Sequence, residues 1–123
     1  MKALIKLCLI VAGAFCAYSA YWVALILFSF QTLTIDNQTD RQIEVQIYDL
    51  SWTVDSRSTE VVRFQSDKGD AHFIILEAAT QEEIGGAGYL TGHWSHCHRI
   101  TITDPLEIGY DTNDSSFCHI LTW

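Results

Sequence analysis

The chain has 123 residues, 49% of them hydrophobic, with one Pro, four Cys and a formal net charge of −8. Twenty-five of the first 30 residues are hydrophobic, and the 93 that follow carry 5 basic against 15 acidic side chains. So acidic a remainder repels phosphate backbones, which argues against nucleic acid as a partner. A stretch of 93 residues allows one small domain.

Residues 7–30 form 24 positions without a charge. At about 1.5 Å per residue such a run spans roughly 36 Å as a helix, more than the roughly 30 Å of a bilayer core. The pattern predicts a transmembrane signal-anchor helix over 7–30, behind a short N-terminus of residues 1–6. A cleaved signal peptide is the competing reading, with Lys2 and Lys6 as its basic start and Ala12-Gly13-Ala14 as a small-x-small site. Cleavage there leaves residues 15–30, still almost wholly apolar, at the new N-terminus, and the apolar run exceeds the 7–15 residues of a signal core. Phe15 stands where a lipobox before Cys16 needs a small residue, and no lipobox precedes Cys8 either. Lys2 and Lys6 are the only basic residues near the segment, so the N-terminus is expected in the cytoplasm and residues 32–123 outside, as a periplasmic or extracellular domain. Gly13, Ala17, Ala20 and Ala24 make a small-residue stripe that suits close helix pairing, although alanine is common in any membrane span. A pilin-type helix carries an early glutamate; here nothing acidic precedes Asp36.

Beyond the anchor, period-two alternation dominates. Thr32 to Ile35 alternates polar and apolar before the turn pair Asp36-Asn37. Ile43, Val45 and Ile47 alternate with Glu44, Gln46 and Tyr48. Runs at 59–64 and 71–77 are β-branched or aromatic and are separated by the turn residues Asp67-Lys68-Gly69-Asp70. The alternating run 99–103 stops at Asp104-Pro105, where proline presets φ for a turn, and 106–110 returns as its hairpin partner. The expected fold is an all-β antiparallel sandwich, Ig-like, with about seven short strands, following the single N-terminal helix.

The order Leu33-Thr-Ile-Asp-Asn37, 43–48, Gly69-Asp-Ala-His-Phe73, Gly88-Tyr-Leu-Thr91 and Ile100-Thr-Ile-Thr-Asp104 resembles a group of small bacterial envelope proteins of uncharacterised role. These are anchored by one helix or a lipid and carry a single β-sandwich. The resemblance covers residues 33–110; it implies the fold and an extracytoplasmic location, and no activity, cofactor or catalytic residue.

The segments outside that pattern hold the chemistry. His93, His96, His98 and His119 cluster with Cys97 and Cys118. In an oxidising compartment two thiols in a small domain pair, and a Cys97–Cys118 disulfide closing about 21 residues is worth on the order of 3 kcal/mol. Cys8 and Cys16, inside the apolar run, read as small apolar residues. If the bridge joins neighbouring antiparallel strands, strand alternation sends His96, His98 and His119 together to the face opposite the disulfide. With His93 nearby, that is a donor set for Zn(II) or Cu(II). Extending the strand back from Ile102 and Ile100, however, puts His98 and His96 on the core side. Either 93–98 is a loop that frees the histidines or they are partly buried and hydrogen-bonded.

Other signals are weaker. Trp52, Tyr89 and Trp94 read as an exposed aromatic patch for an envelope protein partner, or as plugs at the ends of a sandwich. Glu82-Glu83 reads as a hairpin tip, and Gly85-Gly86-Ala87-Gly88, lacking dinucleotide-loop spacing, as a bulge or flexible turn. Both asparagines, Asn37 and Asn113, lie in N-x-S/T sequons, which turn placement already explains. No nucleophile elbow or other spaced catalytic motif appears, so no enzyme activity or catalytic residue is expected. The leading expectation is a non-enzymatic, membrane-tethered β-sandwich that binds or supports another envelope component; the alternative is Cu or Zn handling through the histidine cluster.

Overall fold

The computed structural model describes residues 1–28, 30–66, 68–90, 96–113 and 118–119. Helix α1, Lys2–Phe28, is followed almost at once by β1, Phe30–Asn37. Then come β2, Ile43–Ile47; β3, Leu50–Val54; β4, Ser58–Gln65; β5, Ala71–Glu77; β6, Glu83–Leu90; β7, Cys97–Thr103; and β8, Glu107–Asn113. The helix is apolar and long enough to cross a membrane over Lys2–Ala24, and none of those residues is buried in the protein. It ends before residue 30 because Phe30 and Gln31 are already paired in a sheet, opposite Gln65 and Phe64 of β4.

The strands form two four-stranded sheets, in the orders β4-β1-β7-β8 and β3-β2-β5-β6. This is the β-sandwich behind one N-terminal helix that the alternation predicts. All but one pairing is antiparallel; β1 and β7 run parallel, with Thr32 opposite Cys97 and Leu33 opposite His98. The expected hairpin at 99–110 is present, with Ile100 opposite Tyr110. In β3 the alternation is short and follows a two-residue turn in which Tyr48 takes φ 54°. The glycine-rich run 85–88 lies within strand β6, whose pairing with β5 shifts register twice, as bulges do.

Inward-facing side chains of both sheets build the core. Leu33 and Ile35 of β1, Ile43 and Val45 of β2, Phe73 and Ile75 of β5, and Ile100 and Ile102 of β7 are all fully buried. Each such side chain contributes about 1.5–3 kcal/mol through removal from water. The glycines of β6 admit β8 across the gap: a Cβ at Gly85 would meet Ile108 Cδ1 at 2.9 Å, and one at Gly88 would run into the Tyr110 ring. At one end of the sandwich Asn37, 1% exposed, is fully used by the backbone. Its amide donates to the carbonyls of Arg41 (2.7 Å), Val54 (3.3 Å) and Asp55 (3.0 Å), and its Oδ1 accepts from Thr39. Asp36 and Asn37 are thus the last paired residues of β1 rather than the turn pair the sequence predicts, and Asn37 holds the turn that follows.

Candidate functional site

Strand alternation on β7 separates two polar clusters. His98, Ile100 and Ile102 turn into the core, whereas Cys97 faces the other side of the sheet. His98 is 1% exposed and bonded at both ring nitrogens. Its Nε2 lies 2.8 Å from Gln31 Oε1 and its Nδ1 2.7 Å from Tyr110 Oη. A carbonyl oxygen only accepts, so Nε2 carries the proton and Nδ1 accepts from the Tyr110 hydroxyl. Gln31 completes the network: Oε1 also accepts from the His96 amide at 3.1 Å, and Nε2 donates to Ser66 Oγ at 2.9 Å. The His98 ring stacks on Tyr110 and meets Phe73 edge-on. No nitrogen of His98 is left to offer a metal in this arrangement.

On the outer side, Cys97 and Cys118 form the expected disulfide, with Cα atoms 6.1 Å apart. Cys118 and His119 sit in a turn, and the position opposite Cys97 on β8 belongs to Asn113. His119 therefore comes to the disulfide itself. Its Nδ1 is 2.8 Å from Thr32 Oγ1 and 3.5 Å from Cys97 Sγ, with the Phe30 ring edge-on to the imidazole. Arg63 donates to the His119 carbonyl at 3.4 Å. Burial, then the nearby Arg63 and His96, holds the His119 imidazole below the ordinary histidine range. The contact with His119 accounts for the burial of Thr32 on the outward face of β1.

The shared histidine face consequently does not form. His96 and His98 are neighbours, their rings 6.1 Å apart and edge-on, but His98 is sealed in the core and His119 stands with the disulfide. The bridge is anchored on a turn rather than on an opposing strand, which breaks the two-residue alternation on which the shared face depended. His93 and Trp94 lie outside the described residues. Trp52 and Tyr89 do not make one patch, because β3 and β6 are the opposite edges of their sheet. Trp52 is half-buried and packs on Phe64 with centroids 5.2 Å apart, a plug against the core. Tyr89 is 61% exposed and donates to Asp70 Oδ2 at 3.0 Å. That carboxylate holds the phenol above its usual range.

Sequence reasoning missed Gln31, Thr32, Ser66 and Tyr110. The only cue was a polar amide, Gln31, just after an apolar run, and nothing local pairs it with residues 35 to 79 positions away. No protein-family model matches the chain, and neither does any curated protein.

Proposed function

We propose that this chain is a single-pass membrane protein whose N-terminus is cytoplasmic and whose β-sandwich stands in an oxidising extracytoplasmic space as a non-enzymatic binding or structural module of the cell envelope. The carrying observation is the helix. No residue of its 23-residue apolar span is buried in the protein, so its side chains need a bilayer or another apolar partner. Lys2 and Lys6 favour a cytoplasmic start. The Cys97–Cys118 bridge suits the oxidising side, and the likeness of residues 33–110 to anchored envelope proteins points the same way. With β1 starting two residues after the helix, the tether is short and the module works close to the membrane surface. Tyr89 is the aromatic residue most open to a partner among the described strands.

Alkaline extraction and protease accessibility test the reading. The chain is expected to stay in the membrane pellet at high pH, and protease added to the outside of spheroplasts should remove the sandwich while leaving an N-terminal tag intact. Release by alkali, or a sandwich protected until the membrane is opened, would overturn it.

A further inference from the structure

We infer that the reduced chain holds one Zn(II) ion on Cys97 Sγ, Cys118 Sγ and His119 Nδ1, a site that the disulfide closes. This goes beyond the tethered-module reading and stands or falls separately from it.

The three ligand atoms already lie within 4.8 Å of one another. Zinc–sulfur bonds of about 2.3 Å and zinc–nitrogen bonds of about 2.0–2.1 Å give a tetrahedron whose S–N edge is about 3.6 Å and whose S–S edge is about 3.8 Å. The observed Cys97 Sγ to His119 Nδ1 distance is 3.5 Å, so one edge stands at its metal-bound length. The sulfurs must part, and Cys118 Sγ, within 4.8 Å of the imidazole nitrogen, must settle at the same length from it. Cys97 is held in β7 between β1 and β8, whereas Cys118 and His119 belong to a turn outside both sheets, and the turn supplies that movement. His119 Nδ1 exchanges its hydrogen bond with Thr32 for the ion. Thiolate and imidazole donors suit Zn(II) rather than Mg(II) or Ca(II), and three protein ligands leave the fourth position to water.

The chemistry balances. A dithiol reductant supplies two electrons and two protons and becomes a disulfide itself; the Cys97–Cys118 bond breaks and two thiols form. Zn(II) then displaces both thiol protons to solvent with no change in its own oxidation state. Disulfide and ion therefore exclude each other: zinc shields the pair from oxidation, and oxidation releases zinc.

The test uses the full chain in detergent with Cys8→Ala and Cys16→Ala, which keeps the helix thiols out of the assay. Co(II) alone is the probe. The disulfide is reduced with a tertiary phosphine, which takes oxygen from water and becomes its oxide. Reduced protein is expected to bind one Co(II) per chain with thiolate charge-transfer and tetrahedral visible bands that Zn(II) bleaches; oxidised protein should show neither. His119→Ala should weaken binding at least tenfold, and the exposed His72→Ala should leave it unchanged. The oxidised-against-reduced comparison needs no variant at the site, so a misfolded His119→Ala does not spare the proposal. Absence of the bands in reduced protein, equal affinity in a folded His119→Ala, or bands persisting at the same affinity in denaturant would each overturn the site.

Discussion

Between Gln31 and Tyr110, the His98 ring gives one nitrogen to each partner, stacks on Tyr110 and meets Phe73 edge-on. A histidine in that position behaves as a core residue with two polar tips, and its worth is set by what is stranded when it goes. His98→Leu keeps most of the volume but leaves the Tyr110 hydroxyl without its acceptor and removes one of the donors on Gln31 Oε1. The expected loss is about 2–3 kcal/mol in urea unfolding of the detergent-solubilised chain. Adding Tyr110→Phe should recover part of that loss, since it removes the stranded hydroxyl and removing both partners of a buried pair costs less than orphaning one. A single variant as stable as the parent would show that the network contributes nothing net.

At the scale of elements, the two sheets meet most closely where β6 gives way to β8. Gly88 takes φ 64° and has the Tyr110 ring where a Cβ would stand. Gly88→Ala therefore faces both a left-handed backbone and a steric clash, and it pushes Tyr110 off His98. An expected destabilisation of about 2–4 kcal/mol, with a lower thermal midpoint, follows. Gly69→Ala is the control: φ is 90°, but its Cβ would meet nothing within 4 Å, so its cost should be the smaller of the two. The salt bridges count for less. Arg57 with Asp40 and Asp104 is a largely exposed cluster at one end, worth under about 1 kcal/mol for each pair.

Across the whole molecule, folding is linked to pH through His119. Its imidazole is held below the ordinary value of about 6.5 by burial, Arg63 and His96, so below that pH the unfolded chain takes up protons that the folded chain refuses. Stability of the oxidised protein should be complete above about pH 6.5, fall as pH drops toward the folded-state value, and level off beneath it. Urea midpoints at pH 7.5 and 5.5 check this: the drop should be smaller in His119→Gln than in the parent. Equal drops would assign the dependence to other groups.

Much of this architecture was legible in the linear pattern, because an apolar helix, a period-two strand and a proline turn are local signals. The uncharged run located the helix, the alternation at 43–48 and 99–103 located β2 and β7, and two outer cysteines in a small domain paired. Even the burial of His98 was visible as a conflict, since Ile100 and Ile102 set the phase of its strand. What the tertiary structure alone decided is long-range. That Cys118 arrives on a turn rather than a strand places His119 beside the sulfur, and the parallel seam of β1 and β7 brings Gln31 to the core cluster of His98 and Thr32 to the outer cluster of His119. Periodicity says which way a side chain points from its own strand; which side chain meets it depends on how distant strands register, and no local signal carries that.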